Sequence, residues 1–183
     1  MELVDRFDSR RTPLNKVTER YDVVEGEFRQ SVHLWIENEN GEFLIQKRSL
    51  TKKVFPGNWS ITGGAVDSGE TPLEAVKREC KEELGVDVNE ENLSLIMSFR
   101  RELDFVDVYW LKQNVDLKKV VMQPEEVTDV AWASKDKIKK MLVSKEMTPS
   151  LSIYYETMLN IYDSYIFNGG KKFDIHGNEI KNT

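Results

Sequence analysis

Residues 64–86 read Gly-Ala-Val-Asp-Ser-Gly-Glu-Thr-Pro-Leu-Glu-Ala-Val-Lys-Arg-Glu-Cys-Lys-Glu-Glu-Leu-Gly-Val, and no other stretch of the chain leaves the backbone so little choice. Thr71 offers an N-cap hydroxyl. Pro72 suits the first helical position, where its missing N–H costs nothing, and Glu74 can return a hydrogen bond to the cap. Gly85 follows as the residue able to turn left-handed past the last helical carbonyls. The spacing predicts a helix over 72–84, entered from a strand at 59–62 that Gly63-Gly64 is expected to break. The fold must therefore supply a strand, a loop and a helix in that order, with the helix packed on a sheet.

At about 100° per residue, with Glu79 as zero, Glu82 falls near 300° and Glu83 near 40°, so three carboxylates share one sector. Leu73, Val76, Cys80 and Leu84 occupy the neighbouring sector at roughly 60–140° and are expected to face the sheet. Like charges three and four residues apart repel by a few tenths of a kcal/mol per pair unless a cation lies between them. On the helix alone, a solvated face balanced by Lys77, Arg78 and Lys81 competes with a metal-binding one. With one cysteine and two histidines in the chain, a metal would sit on oxygen ligands, which suits Mg²⁺ or Mn²⁺.

Elsewhere, Ser31–Ile36 and Glu42–Arg48 flank Asn40-Gly41 and read as a β-hairpin. Ser94–Arg101 and Phe105–Leu111 read as a second strand pair and Val127–Trp132 as a further strand. Ser134 can cap a helix to Val143. After Pro149, Leu151, Tyr154, Tyr155, Met158, Leu159, Tyr162, Tyr165 and Ile166 recur at helical spacing, predicting an amphipathic C-terminal helix over 149–168 whose aromatics belong to the core. Residues 169–183 are expected to form a flexible tail. Strands and helices mixed without βαβ alternation suggest an α/β sandwich with a mixed sheet. The 183 residues suit one domain, with an N-terminal extension at 1–30 and a core at 31–143.

A net charge of −6 argues against general nucleic-acid or membrane-surface binding, which needs an excess of Lys and Arg. No apolar run reaches the ~18 residues of a membrane span, and the acidic start Met-Glu-Leu-Val-Asp is unlike a secretory signal, so a cytoplasmic location is expected. The lone Cys80 forms no disulfide framework. It falls in the apolar sector of the helix and reads as a small buried hydrophobe. An anionic ligand would need local cations, and Lys47, Arg48, Lys52 and Lys53 supply them.

The segment as a whole resembles the Nudix box: Gly64, five residues, Glu70, seven residues, then Arg78-Glu79-Cys80-Lys81-Glu82-Glu83-Leu84-Gly85-Val86. Seven fixed identities at ~6% each coincide by chance on the order of 10⁻⁸ per window. The one departure is Cys80, where the family has an aliphatic residue. This resemblance implies a Nudix-like α/β/α sandwich with a mixed β-sheet, a loop-helix-loop catalytic box and, here, an extra C-terminal helix. It implies Mg²⁺- or Mn²⁺-dependent hydrolysis of a nucleoside diphosphate derivative or related organic diphosphate, because divalent cations neutralise the phosphate charge and acidify a water. The implied metal ligands are Glu79, Glu83, Glu82 and the Gly63 carbonyl, with Arg78 and Glu70 pairing to fix the loop and with Gly64 and Gly85 structural. The implied base is Glu79 or a later acid, Glu125 or Glu126. Lys47 and Arg48 are placed to meet the phosphates.

The substrate stays open. The proline soon after the box that marks ADP-ribose hydrolases is missing, the first beyond Val86 being Pro124. The segments Gly41–Ser49 and Phe55–Trp59 resemble the branch that includes isopentenyl-diphosphate isomerases, an alternative reading, as is a non-catalytic ligand-sensing module. Aligning Phe55-Pro56-Gly57 with the same tripeptide of the isomerases puts Gly63 at their cysteine position and Arg29 or Gln30 near a metal histidine. Neither replacement can act in their stead. The expected partner is a small-molecule diphosphate, with no nucleic acid and no membrane, and a homodimer is compatible with this reading.

Overall fold

The computed structural model describes residues 2–167, 172–173 and 179–180. Its strands are β1 (Leu3–Phe7), β2 (Pro13–Glu19), β3 (Arg29–Glu37), β4 (Phe43–Arg48), β5 (Trp59–Ser60), β6 (Thr62–Ala65), β7 (Leu93–Arg100), β8 (Asp104–Lys112) and β9 (Val127–Ala133). The helices are α1 (Pro72–Leu84), α2 (Lys135–Val143) and α3 (Tyr155–Phe167). Between 172 and 180, Lys172–Phe173 pairs with Glu179–Ile180; the rest of the expected tail lies outside the described residues.

β3 is the spine of a mixed sheet. It runs parallel to β8 from Arg29↔Asp104 to Glu37↔Lys112, and β8 is antiparallel to β7. On its other side β3 pairs with β6, from Ser31↔Ala65 to Leu34↔Thr62. The hairpin expected from Asn40-Gly41 closes at a single pair, Glu37↔Phe43. β4 then leaves β3 and pairs with β9 and β5. The sheet thus splays, and the opening becomes a cleft.

Both sheet faces are covered, which is why β3 carries buried side chains on both sides. Val32, Leu34 and Ile36 join Val76, Cys80 and Leu84 of α1 in one cluster. Trp35, Phe43 and Trp110 join Ile138 and Met141 of α2 and Tyr155 and Met158 of α3 in the other. Phe43 packs edge to face on Trp35 and on Trp110, the latter with ring centroids 4.9 Å apart. The arrangement is the expected α/β/α sandwich.

Three expectations need correcting. Gly63-Gly64 do not break a strand; they lie inside β6. A Cβ at Gly63 would come within 2.3 Å of the Val32 carbonyl oxygen, so glycine is what allows β6 to approach β3 this closely. Leu73 is 39% exposed, since the first turn of α1 overhangs the sheet, and Ala75 is buried in its stead. The C-terminal helix begins at Tyr155 rather than 149. Thr148 N–H is bound to the Trp59 carbonyl and Pro149–Leu151 form a 3₁₀ turn, so the chain is pinned to β5 before it can coil. Leu151, Tyr154, Tyr155 and Met158 are core residues; the side chains of Tyr162, Tyr165 and Ile166 lie outside the described residues.

The N-terminal extension is ordered as the β1–β2 hairpin. It braces the loop ahead of α1: Ser68 N–H donates to the Leu3 carbonyl at 2.8 Å and Gly69 N–H to Asp5 Oδ2 at 3.0 Å. Arg6, 1% exposed, ties the hairpin together through Thr18 and the carbonyl of Asp22.

Candidate active site

α1 sets the site. Its capping box forms as the sequence demands: Thr71 N–H donates to Glu74 Oε2 at 2.8 Å and Glu74 N–H to Thr71 Oγ1 at 3.3 Å. Gly85 stops it at φ 67°. Between these ends the three carboxylates stand in different surroundings. Glu82 is exposed, Glu79 is half-buried and Glu83 is 4% exposed. A Cβ on Gly64 would lie 2.1 Å from Glu79 Oε1, so the second glycine of β6 makes room for that carboxylate.

Arg78 gathers the loop. Its Nε and Nη2 donate to the two Glu70 oxygens at 2.9 and 3.0 Å, and Nη2 also to the Ala65 carbonyl at 3.0 Å. Nη1 spans Glu79 at 2.9 Å and Glu82 at 3.1 Å. Burial pulls the Arg78 pKa down, but Glu70 and Glu79 more than offset it and hold the guanidinium protonated. Glu83 is treated otherwise. It accepts from Gln46 Nε2 at 2.8 Å and Gly63 N–H at 3.3 Å, and among the described residues it has no ion-pair partner. Burial, reinforced by the charge of Glu79, pushes its pKa up to about 8. Burial also raises Glu79. Cys80 is fully buried with its thiol pushed up to about 12 by burial, an inert hydrophobe as expected.

These carboxylates open on a cleft of about 440 Å³ that runs past Gly63 and Gly64. Arg48, Lys52, Lys53 and Glu126 line it. Glu126 is ion-paired with Lys52. Two sequence candidates are absent from the lining. The Lys47 ammonium lies 6.0 Å from the centre of the Trp59 ring, because the β-strand alternation that aims Arg48 at the cleft turns Lys47 away. Glu125 is exposed and contributes its carbonyl to Thr51.

Beyond Arg48, Lys52 and Lys53, sequence reading missed the rest of the opposite wall. Arg20 and Tyr21 come from the end of the N-terminal hairpin, Arg29, Ser31 and His33 from β3, Arg101 from the β7–β8 turn and Asp104 from the start of β8. Ser31 Oγ donates to Asp104 Oδ2 at 2.7 Å, and Arg101 grips both Asp104 oxygens at 2.8 and 2.6 Å. His33 Nδ1 lies 2.7 Å from the Tyr154 hydroxyl, and burial lowers its pKa to about 3, so it is neutral. The polar alternation Arg29, Ser31, His33 was a signal present in the sequence; nothing there pointed to Arg101 or Asp104.

Among the described residues no three His, Cys, Asp or Glu side chains form a ready-made metal cage. The chemistry of the donors nonetheless fits a hard divalent cation: Glu79 and Glu83 are oxygen donors one turn apart, and a buried carboxylate without a cation is what such an ion would neutralise.

The sequence model of the NUDIX domain matches residues 27–151. An uncharacterized Nudix hydrolase of Listeria innocua is 37% identical over 125 residues, covering 68% of this chain and 74% of that protein. An isopentenyl-diphosphate Delta-isomerase of Salmonella heidelberg is 44% identical over 57 residues, only 31% of this chain and 32% of the isomerase. Among solved structures, the crystal structure of a Deinococcus radiodurans protein superposes with a TM-score of 0.68 at 27% identity, covering 80% of this chain and 92% of that one.

Proposed function

The chain belongs to the Nudix hydrolase family, and from that premise we propose that it cleaves the diphosphate bond of a nucleoside diphosphate derivative or related organic diphosphate, with Mg²⁺ or Mn²⁺ held by Glu79 and Glu83. The observation that carries this reading is Glu83, buried beside Glu79 without a cation of its own, at the head of a cleft whose opposite wall is cationic. Glu82 and the Gly63 carbonyl are the further candidate ligands. A bound divalent cation would neutralise phosphate charge and acidify the attacking water. The chain's own part is to position. Arg78 holds Glu79 and Glu82 at fixed distances and ties them to the Glu70 loop, while Arg48, Lys52 and Lys53 offer N–H donors to phosphate oxygens. Glu126, already carrying Lys52, is the carboxylate on the opposite wall that can accept the proton of the water.

The isomerase reading draws on the Salmonella match, but Gly63 speaks against it. The position where the isomerases carry cysteine has no space for a side chain, since a Cβ there would sit 2.3 Å from the Val32 oxygen. A purely ligand-sensing module is disfavoured because every box carboxylate is present. Among the described residues no helix is long and apolar enough to cross a membrane, and a cytoplasmic enzyme acting on a small molecule is the reading we adopt. The test is phosphate release with Mg²⁺ across nucleotide sugars, dinucleotides, nucleoside triphosphates and isoprenoid diphosphates, following dimethylallyl diphosphate in parallel. Metal-dependent hydrolysis abolished by Glu83→Gln supports the proposal; dimethylallyl product made by a preparation free of other isomerases overturns it.

A further inference from the structure

Arg29 opens β3, and its side chain lies on the cleft side of the strand with Ser31 and His33. His33 is paired with Gly63, so Arg29 starts about 13 Å further along the strand from the box end of the cleft, at ~3.3 Å per residue. Arg29 thus lies along β3 beyond the last box pair, Ser31↔Ala65, and a group held there would extend the ligand past the Gly63 end where Glu83 is bound.

The guanidinium is poorly answered by the protein. Its only side-chain hydrogen bond among the described residues is from Nη1 to the Arg20 carbonyl, 2.6 Å away, although it carries five N–H donors. Of the charges acting on it, the strongest is that of Asp104, and the others, Arg20, Arg6 and Arg101, are of its own sign. The one carboxylate that acts on it, Asp104, is already committed to the paired bonds from Arg101 and to the Ser31 hydroxyl. Arg20 has its own acid, Glu2. Arg29 is thus a half-buried cation among cations with no carboxylate bound to it, and burial depresses its pKa. An arrangement that costs desolvation and like-charge repulsion in the free protein is relieved by an anion that accepts from the guanidinium fork.

We infer that Arg29 anchors a second anion subsite at the far end of the cleft, with the Arg101–Asp104–Ser31 chain as its rigid floor, so that the substrate is an organic diphosphate whose organic part carries a further anionic group, a phosphate or a carboxylate. The inference rests on the cleft being the diphosphate site. It also separates this protein from enzymes that take hydrocarbon diphosphates, since the floor presents ions and hydroxyls where a prenyl chain needs apolar surface.

Titrating inorganic phosphate, and separately acetate, into the metal-free ¹⁵N-labelled protein in EDTA at constant ionic strength tests the subsite without requiring hydrolysis. Phosphate or acetate should shift the amides of Arg29, Ser31 and Asp104 saturably. Arg29→Gln should weaken that binding about tenfold, as for loss of a charge-assisted bidentate contact. Arg29→Lys should fall between, and Glu83→Gln should stay within about twofold of the unaltered protein. The tighter of the two anions identifies the group as phosphate or carboxylate. Shifts confined to the 48–55 loop, or an Arg29→Gln protein that titrates unchanged, overturn the inference; should Arg29→Gln not fold, the map on the unaltered protein decides. Because no metal is present, this result and the hydrolysis assay fail independently: lost hydrolysis with intact anion binding refutes the diphosphatase reading alone.

Discussion

The two walls of the cleft are built in opposite ways. One wall, Gly63 to Glu83, comes from a single stretch of chain: a glycine strand, a loop tied by Arg78 and Glu70, and a capped helix. The other collects Arg29 and Ser31 from β3, Arg101 from the β7–β8 turn, Asp104 from the start of β8, Arg48 from the end of β4, and Lys52 and Lys53 from the loop after it. The first wall holds a carboxylate with too little positive charge around it and the second a guanidinium with too little negative charge. On the function proposed above, a cation would answer the first of these groups and an anionic part of the ligand the second.

Each wall can be attacked separately. The largest effect is expected at Glu83→Gln, which keeps the shape and the Gln46 contact but removes the charge. Its kcat at saturating Mg²⁺ should fall at least ~10²-fold, the scale of one strong electrostatic stabiliser, while metal-free thermal unfolding at pH 7 shifts upward because glutamine, unlike a carboxyl whose pKa is raised to about 8 on folding, needs no proton taken up. A fall in kcat of less than threefold would remove Glu83 from the metal set.

On the far wall, Asp104→Asn should cost about 2 kcal/mol in urea unfolding at pH 7, the range for hydrogen bonds to charged groups. Burial works to raise the Asp104 pKa, but the bonds from Arg101 and Ser31 outweigh it and the net shift is downward. The stability this carboxylate contributes is therefore present above its unfolded pKa and lost as pH falls through the lower folded value, in the region below about pH 4. Unaltered protein should lose stability more steeply there than Asp104→Asn, and parallel curves would show that the lock contributes nothing.

Gly64→Ala tests how the walls meet. The added methyl would strike the Glu79 carboxylate, the mobile end of a side chain. Activity should fall about tenfold, short of the ~10²-fold of a full 1 Å misplacement because the carboxylate can swing aside, with the melting temperature little changed; full activity would mean that Glu79 need not stand where it does.

The smallest effect is expected beneath α1. Cys80→Ala should cost roughly 1 kcal/mol and leave kcat intact, and the native thiol should resist iodoacetamide at pH 8. Ready alkylation of the folded protein, or lost activity without lost stability, would contradict the buried, protonated thiol.

The contrast between the walls also explains how far the chain can be read unaided. The cap at Thr71, the stop at Gly85 and the burial of Cys80 follow from residues within one or two turns of one another, where helical geometry alone sets who meets whom, whereas the Arg78–Glu70 tie, with Glu70 ahead of the helix, is legible only through the resemblance to the box. The same locality misleads at Gly63-Gly64, which reads as a strand break: glycine is permissive, and only the neighbouring β3 backbone and the Glu79 carboxylate decide what that freedom is used for. Lys47 and Arg48 are indistinguishable as adjacent cations until the strand fixes which of them faces the cleft.

By itself, then, the sequence determined the box helix, its ends, its acidic sector and the family, because those depend on contacts made within a few residues. The tertiary structure alone decided that Gln46 and the Gly63 N–H meet the buried Glu83, that the N-terminal hairpin braces the box loop, and that Ser31 meets Asp104 across 73 residues of chain. Parallel pairing of β3 with β8 brings that last pair together, and such a register is set by which distant strand buries the same apolar face, a quantity no local pattern records.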